Sequence, residues 1–490
     1  MYRKNAVLFM VGFFLVAISI WQIAAAQKGL DVFKLPSTNP PVTIITPSDA
    51  SPASRPTILI AHGFAGSSVL MRGFALALAH AGYTTVSWDF EGHGVNPNHF
   101  SLASESSDLL HNAESALAES ETTGLIDPQR IAILGHSMGS GLALSYGIAH
   151  PNAAATIAIS PVSQSVSPNL PHNLLLMAGS LEPQFVANAK GLLNMAGGQS
   201  SDLTAGTARK LVIIPNVEHI SILFSPTAHS TSRSWLDGTF GPQPGASIYT
   251  DRRILWFGLG IVGFIFLSKA SLNSLPAIIW KNTPIPPIWL RLIALLGGSI
   301  VATFILWLVS LSGVKISQLL GLVVGGYLLI WYAVAGVICL VIYRPHVSLP
   351  RNMELVKGLV AFSALWLGVG LLGNFVWLPW LLIPSRLWLW IPGSIILFPW
   401  FFAVGEAAHQ ANKVGQLGWW LYQVIVVVGG LYLALQINPE LGFIFIILPL
   451  VPVMLGLHML AVSPKHGAWA FGISGAMFTA WLLLAVFPLL

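Results

Sequence analysis

Apolar positions along the chain fall into two regimes. From about Leu35 to Gly241 they come in short runs: Thr57–Ala61, Thr84–Trp88, Ile131–Leu134, Thr156–Ser160, Leu174–Ala178 and Leu211–Ile214. Runs of that length read as buried strands. Helical stretches are predicted between them, at about Val69–Ala81, at about Ala103–Ser120 and directly after Ser137. A β-like run, Val42–Thr46, lies within the Pro-, Ser- and Thr-rich stretch 36–56. Short apolar runs alternating with helices predict an α/β domain, a mostly parallel sheet with helices on both faces.

Beyond a Pro/Gly linker, Pro242–Gly245, the apolar runs lengthen to about 20 residues, enough for a helix to cross a bilayer. Spans are read at about 254–270, 290–311, 318–342, 356–374, 387–405, 416–436, 441–462 and 467–488. At the start of the chain, Arg3 and Lys4 precede an apolar run from Ala6 to Ala26. Its small-residue end fits signal cleavage, whereas its length favours an uncleaved anchor. On either reading the following domain is exported. The predicted organisation is an anchor or signal segment (1–27), an α/β domain (28–245) and a C-terminal all-α polytopic membrane domain of about eight helices (246–490).

Composition agrees. Hydrophobic residues make up 54% and charged residues 8% of the chain, against about 25% charged in soluble domains. The net charge of +5 is spread over loops between apolar runs, which does not point to nucleic acid. The one cysteine, Cys339, lies in an apolar run, so no disulfide framework is possible within one chain. The α/β domain has no Cys/His cluster at metal-ligand spacing and no phosphate-cradling Gly-rich loop with its Lys. No metal or organic cofactor is expected.

The candidate chemistry lies in Gly135-His-Ser-Met-Gly139, between the strand Ile131–Leu134 and a small-residue helix. A serine between two glycines at a strand-to-helix junction is the G-x-S-x-G nucleophile elbow. The turn is tight and strained. Glycines at its two ends have no Cβ to collide with the neighbouring strand and helix, and the helix N-terminus favours negative charge beside Ser137.

Three motifs together give residues 55–241 their resemblance to an α/β-hydrolase domain. They are His62-Gly63-Phe64, Asp89-x-x-Gly92-x-Gly94 and Gly135-His-Ser-Met-Gly139, each following a predicted strand. The resemblance implies a triad in the chain order nucleophile, acid, histidine: Ser137, Glu182 and His219. Glu182 stands after the strand Leu174–Gly179, where the family usually has Asp; Asp202 is the rival acid, further from the strand end. His219 follows the last strand, whereas His93 and His136 read as loop or packing residues. Asp89, Gly92 and Gly94 read as a structural turn. By the same resemblance, the backbone N–H groups of Phe64 and Met138 form the oxyanion hole. Only Pro161–Asn173 separates the strand after the elbow from the acid strand, which leaves no room for a lid domain.

The implied activity is a serine hydrolase cleaving an ester or thioester bond in an acyl-containing small molecule or lipid. Acyl transfer through the same acyl-enzyme is an alternative, as is a non-enzymatic transporter or assembly protein with a hydrolase-like binding domain. In the membrane half, Lys269, Lys281, Arg291, Arg344, Arg351, Lys357, Lys413 and Lys465 fall in one set of loops, and Lys315 and Arg386 in the other. The positive-inside rule puts the first set, with Arg3 and Lys4, in the cytoplasm and the α/β domain on the periplasmic or extracellular side. Fifteen of the 18 tryptophans follow residue 250, many near span ends, as an aromatic belt requires. Glu406, His409 and His458 are the intramembrane ionisable candidates; the first two read as a solvated helix end.

Overall fold

The computed structural model describes residues 2–36, 39–48, 55–101, 107–277, 286–345 and 349–490. The predicted helix start at Ala103 and the loop lysine Lys281 lie outside the described residues. The chain forms two compact units. One comprises Trp21–Trp256 with Asn374–Pro379, the other Met1–Ile20, Phe257–Gly373 and Trp380–Leu490.

The first unit is an α/β-hydrolase fold. Its strands are β1 (Leu30–Leu35), β2 (Val42–Pro47), β3 (Pro56–Ala61), β4 (Thr84–Trp88), β5 (Asp127–His136), β6 (Ala155–Ile159), β7 (Leu174–Gly179) and β8 (Arg209–Ile214). They form one sheet in the order β1-β2-β4-β3-β5-β6-β7-β8. β1 and β2 pair antiparallel, as do β2 and β4, and every other pairing is parallel. β1 was not expected from the apolar pattern. Asp31 and Lys34 interrupt its short apolar run, a charge content suited to an edge strand that must not pair further.

The sheet is covered on both faces because successive side chains of its central strands alternate. Ile58 and Ile60 of β3, with Ala132 and Leu134 of β5, pack against Phe74 and Leu78 of α2 (Arg72–His80) and Leu236 of α6 (Pro226–Phe240). Leu59 and Ala61, with Ile131 and Ile133, pack against Ala113 of α3 (Ser107–Glu121) and Leu142 of α4 (Met138–Ala149). A smaller cluster joins β7 to Ala189 and Leu192 of α5 (Pro183–Met195).

The second unit is helical. Eight helices among the described residues are long and apolar enough to cross a membrane: Arg3–Ala25, Arg253–Ser274, Ile288–Leu311, Gly325–Tyr343, Asn352–Phe375, Pro384–Ala408, Lys413–Ile437 and Ala468–Val486. The predicted span at 441–462 differs. It is a 3₁₀ turn at Pro439–Leu441, a single helical turn at Ile444–Ile447 and a 12-residue helix, Leu450–Ala461. Pro449 stands at the break, and a proline inside a helix removes a backbone donor and clashes with the preceding turn.

Contacts within this unit sort its helix ends into two groups. At one end Arg291 donates to the Ala407 carbonyl, His409 Nδ1 lies 3.2 Å from the Pro464 carbonyl, and Lys357 lies 3.5 Å from His466. At the other, Ser310 bonds Asn438, Ser317 bonds Glu440, and Leu322 bridges Leu489. Arg344, Arg351, Lys413 and Lys465 belong to the first group by their helix termini, whereas Lys315 and Arg386 belong to the second.

Candidate active site

The site is assembled at the carboxyl ends of five adjacent parallel strands, the usual position for ligands in such sheets. Phe64 follows β3, Ser137 follows β5, Ser160 follows β6, Glu182 follows β7 and His219 follows β8. Long separations in the chain thereby become neighbours in space.

Ser137 has φ 54° and ψ −120°, a left-handed backbone that non-glycine residues seldom adopt. The two glycines explain how the turn is made. A Cβ on Gly135 would lie 1.9 Å from the Gly139 carbonyl oxygen, and one on Gly139 would lie 2.4 Å from the His62 carbonyl oxygen. Gly139 thus lets the first turn of α4 close onto the end of β3, which carries Phe64. Met138 is the first residue of α4, and the first N–H groups of a helix have no intrahelical partner.

His219 joins the other two predicted residues. Its Nε2 lies 3.0 Å from Ser137 Oγ and its Nδ1 2.9 Å from Glu182 Oε2. With Nδ1–H donating to the carboxylate, Nε2 is left to accept the serine proton. All three side chains are buried, at 6–7% exposure, so the contacts are shielded from competing water. The second carboxylate oxygen of Glu182 accepts from Gly179 N–H at 2.5 Å and Ser160 Oγ at 2.6 Å. Asp202 is exposed and accepts from the Ala205 N–H within its own loop, apart from this cluster.

Three neighbours were not legible as site residues beforehand. Phe185 stacks on the His219 ring, centroids 4.3 Å apart. Ser160 holds Glu182. His136 donates through Nε2 to the His219 carbonyl oxygen at 2.9 Å, and burial, with the nearby His219, pushes its imidazole well below the ordinary histidine range. The neutral ring can hold the backbone of His219 without adding a second positive charge. His136 occupies the variable position of the elbow motif, so only the fold could reveal what it touches.

The Asp89 turn is structural, as read. Asp89 accepts from the Ser68 and Val95 N–H groups at 2.7 and 2.8 Å, and Asn96 donates to its backbone carbonyl. His62 Nε2 accepts from the Phe90 N–H, and burial holds this imidazole down despite the nearby Asp89 carboxylate. His93 packs against Phe64 and Phe100.

Residues 52–205 match the family model of the serine aminopeptidases, S33. An uncharacterised protein of Mycobacterium tuberculosis is 25% identical over 185 residues, 34% of this chain and 64% of that protein. A 31.7 kDa Escherichia coli protein from the traX–finO intergenic region is 33% identical over 90 residues, 18% of this chain and 30% of that protein. Among solved structures, a membrane phospholipase A described as a bacterial virulence factor matches with TM-score 0.34 and 16% identity, over 49% of this chain and 95% of its own. A monoglyceride lipase of Saccharomyces cerevisiae matches with TM-score 0.31 and 14% identity, over 43% and 95%.

Proposed function

We propose that this protein is a membrane-anchored serine hydrolase that cleaves an ester or thioester bond through an acyl-enzyme on Ser137. The observation that carries the reading is His219 bridging Ser137 and Glu182, at 3.0 and 2.9 Å, beneath a strained elbow. His219 takes the Ser137 proton as Oγ attacks the acyl carbonyl, then delivers it to the leaving group. Glu182 holds the imidazole in the required tautomer and stabilises its cation. The Phe64 and Met138 N–H groups receive the developing oxyanion, a contribution typically worth about 10²–10³ in turnover per donor. Water attacking the acyl-enzyme, with His219 as base, returns the free serine.

An aminopeptidase must also hold a substrate ammonium group. Among the described residues, Glu218 and Asp89 in the loops around this site are committed to backbone N–H groups, and Glu91 accepts from the Asn98 amide. Both oxygens of Glu218 accept from the Ile220 and Ser221 N–H groups, and both of Asp89 are bonded as described above. That favours an uncharged acyl substrate over a peptide amine.

The catalytic unit acts outside the cytoplasm. The chain passes between the two units after Ile20, Trp256, Gly373 and Pro379. The positive-inside rule assigns Arg3, Lys4, Arg291, Arg351, Lys357, Lys413 and Lys465 to the cytoplasm, so the chain between the spans Arg3–Ala25 and Arg253–Ser274 is read as lying outside it.

Fluorophosphonate labelling of membranes bearing wild type or Ser137→Ala tests the chemistry. Labelling of the wild type alone is expected; equal labelling of both would overturn the assignment. A membrane-impermeant version of the probe should label intact cells more than inverted vesicles. Unlabelled wild-type protein is then compared on acyl esters, thioesters and aminoacyl amides, with turnover expected on the first two.

A further inference from the structure

We infer that Ser160 is a positioning residue for the acid, matched to the glutamate that stands where an aspartate is usual. The inference rests on the reading of Ser137, His219 and Glu182 as the reacting set.

Ser160 is fully buried and directly follows β6. Its φ is 46°, in the left-handed region that favours glycine, yet the residue is a serine. Its N–H donates to the Met177 carbonyl at 2.7 Å, which ties it to the edge of β7 just before the acid loop. The hydroxyl donates to Glu182 Oε1 at 2.6 Å. Strained backbone that persists at a buried position points to a local role, because a less strained residue would otherwise serve.

The geometry explains why a longer acid works here. Glutamate has one more rotatable bond than aspartate, so its carboxylate has more positions to choose from. Ser160 Oγ and the Gly179 N–H fix Oε1 from β6 and β7 respectively. Once Oε1 is held, rotation about the last side-chain bond is blocked, and Oε2 is presented to His219 Nδ1 at 2.9 Å. An aspartate on the same backbone would be too short to meet both Ser160 and His219. Ser160 therefore acts through Glu182, and through it on the orientation of the base.

The test measures kcat and KM for p-nitrophenyl butyrate, and the rate of fluorophosphonate labelling, in the full-length protein. Ser160→Gly removes the hydroxyl while keeping a residue at ease in the left-handed backbone; Ser160→Ala removes it without that ease. We expect Ser160→Gly to lower kcat and the labelling rate about tenfold, the scale of one hydrogen bond to a charged group, with KM within about twofold. In a Glu182→Ala background, Ser160→Gly should have no further effect. Wild-type rates in Ser160→Gly, or the same loss in both backgrounds, would overturn the inference. Glu182→Asp is an independent arm that leaves Ser160 intact: a loss of about tenfold is expected, and undiminished turnover would overturn the match. Absence of labelling in the wild type would instead sink the hydrolase reading itself, and this inference with it.

Discussion

Both units of this protein bury polar side chains, but they use them differently. In the hydrolase unit, Ser137, Ser160, Glu182 and His219 come from the ends of four strands and bond one another, side chain to side chain. In the membrane unit, buried polar groups mostly bond the backbone of a neighbouring helix. Ser268 donates to the Ala461 carbonyl, Ser299 to Val426, Thr303 to Gly430 and Arg386 to Phe487. The difference follows from the architecture. A parallel sheet directs its loops to one edge, where side chains can converge. Packed helices have no such edge, and a lone hydroxyl satisfies itself on a carbonyl of the facing helix. Convergence makes a candidate site, whereas dispersal holds helices together.

The comparison is sharpest at Ser137. Ser137→Ala should cut turnover by about 10⁴-fold or more while leaving the melting temperature nearly unchanged, since one member of such a set carries most of the effect. A collapse in melting temperature instead would mean the serine is chiefly structural. Next in size is the support for the base. His136→Leu should lower kcat about tenfold with little change in KM, whereas His136→Gln, whose amide can still reach the His219 carbonyl, should recover most of it. Equal losses in the two variants would remove His136 from the account.

A third expectation concerns pH. Burial holds the imidazoles of His62, His136 and His229 below the ordinary value, even though Asp89 and Asp251 pull the first and last upward. In the folded protein they take up a proton only at lower pH than in the unfolded chain, where each is protonated below about pH 6.5. Stability is therefore complete above that pH and declines as the pH falls below it, by up to about 1.4 kcal/mol per pH unit for each group. Thermal unfolding of the hydrolase unit in detergent should shift down between pH 7.5 and 5.5. A midpoint that does not move would refute this.

The smallest effect should come from the membrane unit. His458 Nε2 lies 3.0 Å from Ser474 Oγ, and Ser474 also donates to the Ala470 carbonyl. Ser474→Ala should cost about 0.6 kcal/mol of stability, the average for such bonds between membrane helices, and leave fluorophosphonate labelling untouched. Lost labelling there would erase the contrast between the units and give the membrane half a part in the chemistry.

Some of this was legible in the residues alone. Short apolar runs located seven of the eight strands, because buried strands of such a sheet need largely uninterrupted apolar side chains. β1 escaped because Asp31 and Lys34 break its run, as suits an edge. The span expected at 441–462 has enough apolar residues, but Pro449 divides it, so hydropathy without backbone chemistry misjudged its continuity. His458 was noticed as ionisable, whereas its partner Ser474 lies on a different helix and carried no signal.

Local sequence determined what each segment is. Glycines at 135 and 139 permit the elbow, and apolar length separates strands from membrane helices. These are properties of neighbouring residues, set by sterics and solvation over a few ångströms. Tertiary structure decided what meets what. That Ser160 reaches Glu182 across 22 positions, or that His136 holds the carbonyl of His219 across 83, depends on strand order and register. Side-chain hydrogen bonds are short-ranged and directional, so no linear spacing encodes them until the sheet has brought its ends together.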